Sequence, residues 1–433
     1  MSINQKIWAL ALPIILSNIS VPLLGLVDTA VVGHLSSSLY LAGVTLGATL
    51  FSFLFWGFGF LRMGTTGVVA QAAGQKDYQQ VVVLLQQGIV LAIIVAGALL
   101  LSQSFLIPVG LELLTSDLTI SRVAAEYAGI RIWAAPAVLI NYVLLGWFLG
   151  LQNSRFSLLM LLLGNSLNII LDLVFVLVLQ WQVSGVAFAS VLADYATLLV
   201  GLTLAFKRVT ALLPNWQLSL GKGKDFRRLL QVNQQLLVRT WILLWAIAFF
   251  TAQGAEQGAD VLAANAILMQ MVMFASYALD GFAHSAEALV GEASGAKNNQ
   301  QMKVIIWHSA ILSFIAAGIC SLLYGLLGTQ IVGLMTNIPE VLLLAEEYLI
   351  WAMLIPIFAV GSYLFDGVYI GLTRADIMRN SVILATLLYL FVWFFSQVWG
   401  NTGLWLAFSF FMLFRSLGLF GHYWCYIKPK LDR

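Results

Sequence analysis

Twelve apolar stretches of about 20 residues or more leave this chain little choice of architecture. A run of that length crosses the hydrocarbon core of a bilayer as a single helix. The runs fall near 8–33, 39–62, 82–106, 122–148, 157–179 and 185–206. A second set falls near 229–253, 260–284, 304–327, 345–371, 378–398 and 403–426. Only 9% of the 433 residues are charged, against about 25% in soluble domains. The sequence therefore predicts an all-α polytopic membrane protein. A net charge of +2 gives no reason to expect a nucleic-acid partner, and Cys320 and Cys425 lie too far apart to suggest a disulfide framework or a metal site. The first apolar run outlasts the short core of a cleavable signal peptide, so it is expected to be the first span.

The basic residues sort by side. Lys6, Arg62, Lys76, Arg155, the six cations between Lys207 and Arg228, Lys297, Lys303, Arg374, Arg379, Lys428, Lys430 and Arg433 fall on one face. The other face holds Arg122 among Glu112, Asp117, Glu256, Asp260 and Glu340. An excess of Lys and Arg marks the cytoplasmic side, so both termini are expected there.

The two halves of the sequence match at a constant shift of 221 residues. Gly33 meets Gly254, Lys76 meets Lys297, Glu126-Tyr127 meets Glu347-Tyr348, and the pair Gly146/Gly150 meets Gly367/Gly371. One shift serving so many identities in order is the mark of an internal duplication. Six spans per repeat keep the halves parallel, related by an axis along the membrane normal. The expected organisation is a lobe at 1–206, a cytoplasmic linker at 207–228 and a second lobe at 229–433. The repeated Gly-x-x-x-Gly pairs predict close helix packing.

Acidic groups inside the spans point to function. An ionised side chain at the middle of a spanning helix costs roughly 2.5–3.5 kcal/mol on insertion scales, so it is kept where it serves transport. At about 1.5 Å per residue, Asp28 on the first span, Asn168 and Asp172 on the fifth, Ser190 and Asp194 on the sixth and Tyr127 on the fourth all fall in the outer half of the first lobe. Asn168/Asp172 and Ser190/Asp194 are spaced i, i+4 and share helix faces. Such a layer suits a proton or cation site, and interhelical hydrogen bonding is the alternative. Carboxylates held out of water take up a proton more readily, and two that meet share one. Pro13 and Pro22 place bending points on the helix that carries Asp28. In the second lobe Phe249 replaces Asp28, and Arg239, Asp280 and Asp366 form a possible gate network. Asp280, Glu287 and Asp366 fall at the cytoplasmic ends of the eighth and tenth spans, Asp280, His284 and Glu287 share one face, and for these carboxylates the sequence favours solvated helix ends over that network.

Aromatic residues crowd the second span (Phe51, Phe53, Phe55, Trp56) and methionines the eighth (Met269, Met271, Met273). Such surfaces adapt to varied ligands and attract organic cations. No enzyme signature is present, and Gly221-Lys-Gly-Lys224 lacks the hydroxyl residue of a phosphate loop. The chain is therefore expected to be a transporter with no cofactor, driven by an ion gradient.

Four segments carry a resemblance to the multidrug and toxic compound extrusion (MATE) family, in its DinF-like branch. They are Pro22 to Leu35 with Asp28 at the centre, Gly164 to Asp172, Ala278 to Ala283 and Leu364 to Gly371. The resemblance implies a V-shaped two-lobe antiporter of the bacterial inner membrane, monomeric, exporting amphipathic, often cationic compounds by rocker-switch alternating access. It makes Asp28 the central protonation site, with Asn168, Asp172, Tyr127 and Ser190 around it, and Pro13 the bending point. H⁺ is the expected coupling ion, and Na⁺ the alternative, with Asp366 matching an acid of the sodium-coupled branch. A lipid-linked precursor flippase of the same superfamily is the alternative function. Its cavity would be lined by several arginines or lysines, whereas the interior acids here at least match Arg131, Arg239 and Arg415.

Overall fold

The computed structural model describes residues 2–32, 38–221 and 223–432, with backbone alone for 21–32 and 224. The described residues are helical almost throughout. The first repeat comprises α1 (Ile3–Val32), α2 (Ser38–Gly57), α3 (Phe60–Gly74), α4 (Tyr78–Leu114), α5 (Leu118–Arg131), α6 (Ala135–Gly150), α7 (Ser154–Asp172) and α8 (Gln182–Leu212). The second comprises α9 (Gly223–Glu256), α10 (Ala259–Gly295), α11 (Asn299–Met335), α12 (Pro339–Gly371), α13 (Ala375–Ser396) and α14 (Asn401–His422), and α15 (Lys428–Leu431) follows. Among the described residues eleven helical segments are long and apolar enough to cross a membrane, and α1, of 30 residues, precedes them. Many run past the apolar windows of the sequence. The second span extends to Gly74 and the eighth to Gly295.

Among the described residues, three departures from regular α-helix occur in spans of the first repeat. Between α2 and α3, Phe58 N–H bonds to Phe55 O at 2.9 Å and Gly59 N–H to Trp56 O at 3.0 Å, a tight turn flanked by Gly57 and Gly59. Between α5 and α6, Ile132–Ala134 form a 3₁₀ turn. Pro136 has no N–H to donate to Ile132, so the ladder tightens to the bond from Ala135 N–H instead. Past Asp172, Leu173–Val178 widen into a π-helical stretch. Non-helical backbone at membrane depth survives only where protein or a cavity covers it. By contrast α1 continues as one helix through Pro13 and Pro22.

The duplication recurs in three dimensions at the same shift. A Cβ on Gly146 would lie 2.3 Å from Arg62 O, and one on Gly367 would lie 2.1 Å from Ala283 O. Both positions therefore demand glycine, because the α3–α6 and α10–α12 backbones touch. Asp77 and Asn298 cap α4 and α11, each accepting the third residue's N–H at 2.9 Å. The left-handed residues Lys76 and Lys297, and Gln152 and Thr373, match as well.

The chain divides into two compact units. One is Leu16–Asn233; the other joins Met1–Ile15 to Gln234–Arg433. The first unit includes the stretch between α8 and α9, where Gln87 Nε2 donates to Leu220 O at 2.6 Å and Ser219 N–H to Gln86 Oε1 at 2.8 Å. The core of the second unit is aromatic, built on Phe250, Trp405, Phe408, Phe411 and Tyr389.

Candidate functional site

In the first unit the polar side chains form two groups. Asn168 and Asp172 are buried on α7, Asp172 with only 1% of its surface exposed. Asn168 Nδ2 reaches Ser190 Oγ on α8 at 3.3 Å. One turn before Asn168, Asn165 Nδ2 donates to Ser20 Oγ on α1 at 2.8 Å. Asp172 itself stands at the last α-helical position before the π-helical stretch, a kind of irregularity frequent at functional sites. The side chains of Asp28 and Pro22 lie outside the described residues.

The second group centres on the break between α5 and α6. Arg131 Nη1 donates to Asp194 Oδ2 at 2.6 Å. Tyr127, one turn back on α5, makes a second polar contact to the guanidinium, and the Phe55 ring lies 5.2 Å from it. Asn141 Nδ2 donates to the Asp194 carbonyl at 3.1 Å, and Tyr195 O–H to the Trp133 carbonyl at 3.0 Å. Asp194 and Tyr195 of α8 thus clasp the 3₁₀ turn from both ends. Asp194, expected in the layer with Ser190, has Arg131 as its counter-ion.

In the second unit Asp366 Oδ2 accepts from both Arg239 on α9 and Arg415 on α14, the latter at 3.1 Å. All three residues are buried. Tyr363 lies close enough to Asp280, Arg415 and Asp366 to interact electrostatically with each. The expectation of solvated helix ends is corrected here. Glu287 is fully buried and Asp366 nearly so, because α10 and α12 pack together through Gly367 and Gly371. Pro13 lies on the stretch of α1 that belongs to the second unit.

Sequence reasoning missed one further cluster. Asn265 and Asn401 exchange two amide hydrogen bonds, 2.7 and 3.0 Å, and Trp405 Nε1 donates to Asn265 Oδ1 at 2.8 Å. Asn265 inside the eighth apolar run, with Asn401 just before the twelfth, was the available signal. Among the described residues no group of three or more His, Cys, Asp or Glu side chains is placed to hold a metal ion.

The MatE family profile matches residues 13–174 and 236–395, one match in each half. The chain belongs to the MatE family. It is 42% identical to the DNA damage-inducible protein F of Escherichia coli K12, over 96% of this chain and 91% of that protein. It is 27% identical to the chloroplastic protein DETOXIFICATION 44 of Arabidopsis thaliana, over 95% and 81%. Among solved structures it matches a MATE protein in a bent conformation with a TM-score of 0.88 at 17% identity, covering 100% of this chain and 97% of that one. An outward-facing multidrug resistance MATE family transporter matches with a TM-score of 0.87 at 19% identity, over the same shares. At such identities these structures share the fold. The relatives are transporters, and this MatE chain is an integral membrane transporter rather than an enzyme.

Proposed function

We propose that the protein exports amphipathic, often cationic organic compounds from the cytoplasm in exchange for protons, by alternating access between its two lobes. The burial of Asp172 beside Asn168 and Ser190 carries this reading. Asp194 and Asp366 are each engaged by arginine. Asp172 is buried one turn from the Asn168–Ser190 amide–hydroxyl pair, on the helix that Asn165 ties to α1.

Depth supports a common level for Asp28 and Asp172. From the Ser20–Asn165 contact, Asp28 is eight residues further along α1 and Asp172 seven further along α7. At about 1.5 Å per residue these are advances of roughly 12 and 10 Å. Two carboxylates at one level that share a proton can bind and release it in turn, as exchange requires. Asp28 and Asp172 are the proposed proton carriers, and Asn168 and Ser190 position Asp172. Tyr127 sits at the Arg131 edge of the site.

Na⁺ coupling through the second lobe is disfavoured, because two guanidinium groups already occupy Asp366. A flippase for pyrophosphate lipids is disfavoured for a related reason: Arg131, Arg239 and Arg415 are all engaged by carboxylates. The same reading places the protein in the bacterial inner membrane as a monomer with cytoplasmic termini.

Dye efflux from proteoliposomes, driven by an imposed pH gradient without Na⁺, tests the proposal. Wild type should export, and Asp28→Asn and Asp172→Asn should each lose gradient-driven export while keeping normal expression. Full efflux by Asp28→Asn refutes proton coupling at this site. Efflux that requires Na⁺ refutes the choice of ion.

A further inference from the structure

A second site lies in the other unit, on the face between α9 and α13. There a groove of about 460 Å³ is lined by Leu237, Val238, Trp241, Trp245, Ile383 and Leu387, with Ile242 and Thr386 completing it. That volume is in the range of drug-sized pockets. Its walls carry no ionisable group, and the Thr386 hydroxyl is bonded to Val382 O of its own helix at 2.8 Å.

Depth and chemistry argue against a lipid-facing dimple. Trp241 stands at the midpoint of the 32-residue span 225–256, and Leu387 at the midpoint of the 25-residue span 375–399. Tryptophans that face lipid gather at the headgroup interfaces, where the indole N–H meets water. The buried indoles of this protein follow the rule of satisfied donors: Trp147 donates to Val81 O at 3.0 Å and Trp405 to Asn265 Oδ1 at 2.8 Å. Trp241 and Trp245 line the groove and are each 45% exposed, and among the described residues neither indole N–H has an acceptor. Leaving two such donors in hydrocarbon is costly. A ligand bearing ring heteroatoms removes that cost.

The groove continues into a stack of rings. Trp245 and Phe249 stack at 5.3 Å with 25° between planes, and Phe249 meets Tyr389 edge-on at 5.5 Å. Phe249 is the repeat equivalent of Asp28. Where the first unit carries its candidate proton acid, the second carries the end of an aromatic ladder.

We infer that this groove is a binding subsite for the flat, fused-ring part of an exported compound, with Trp241 and Trp245 supplying stacking faces and donors. The inference rests on the export reading and adds a division of labour: ions in the first unit, ring recognition in the second. The subsite reads shape rather than charge, since no ionisable side chain lines it.

Binding to purified protein in lipid nanodiscs tests it, with two monovalent cations as probes. Methylene blue is flat and fused, with an unsubstituted ring nitrogen free to accept; tetraphenylphosphonium is not planar and has no acceptor. Trp241→Leu with Trp245→Leu should weaken methylene blue binding about tenfold or more and change tetraphenylphosphonium less than twofold. Thr386→Trp, which fills the groove, should act in the same direction. The pH profile of binding should not move in any variant. If the variants keep wild-type melting and bind methylene blue as wild type does, the subsite is overturned. Equal loss for both cations also overturns it, since the groove would then be a general apolar surface. A wild-type protein that binds neither probe overturns the export reading itself.

Discussion

Asp366 offers the sharpest test of how the second unit is held together. Its carboxylate accepts from Arg239 and Arg415, and the three residues are 6%, 7% and 3% exposed respectively. Asp366→Asn keeps the shape but leaves two buried guanidinium groups facing a neutral amide. Breaking a buried ion pair costs about 3–5 kcal/mol, because the surviving charge stays buried. For a body of about 200 residues each kcal/mol moves the melting temperature by about 2–4 °C, so the fall should be roughly 6–20 °C. The measurement is thermal melting in detergent micelles at a fixed scan rate, since such unfolding is often irreversible. The triple change Arg239→Met, Asp366→Leu and Arg415→Met removes every charge together. Replacing a whole buried ion cluster by apolar side chains is often neutral or stabilising, so the triple variant should melt within a few degrees of wild type. Unaltered melting of Asp366→Asn, or a triple variant as weak as the single one, would refute the reasoning.

Two further outcomes follow from local geometry. Gly367→Ala puts a Cβ 2.1 Å from Ala283 O, and Gly146→Ala the equivalent atom 2.3 Å from Arg62 O; each should cost about 1–3 kcal/mol by overpacking, read as lower melting, and unchanged melting of both would show that the helices do not meet there. Asp117 caps α5, and the N–H groups of Ile120 and Thr119 hold its carboxyl below the usual range. A lowered value means the cap contributes at neutral pH and fades as pH falls through it, so Asp117→Ala should melt earlier than wild type at pH 7 and equally in strong acid; a gap independent of pH would exclude the carboxylate as its source.

The spans and the duplication were legible because both rest on periodic, local signals. The apolar runs set the helices, and the shift of 221 residues foretold the matching close contacts at Gly146 and Gly367. The breaks were less visible. Pro136 announces the turn at Ile132–Ala134, yet nothing local separates it from Pro108, which lies inside an unbroken α4. The partners of the embedded charges were hidden for another reason. Arg131 meets Asp194 across 63 residues and Arg239 meets Asp366 across 127, so the pairing is a property of helix packing. The count of interior arginines against acids hinted only that pairs would exist. Glu287 was misread as solvated because an apolar window ends where charges begin, whereas α10 continues as far as Gly295.

The borders of the compact units bear on how the protein is made. The second unit takes Met1–Ile15 from the very start of the chain, and the first reaches into α9 as far as Asn233. The repeat equivalent of Ile15 is Leu236, so the two borders cut equivalent helices within a turn of each other. During synthesis, then, the first turns of the opening helix emerge more than two hundred residues ahead of the rest of the unit they belong to. Severing the gene at residue 213 would give two polypeptides that each lack a piece of the body they are meant to build.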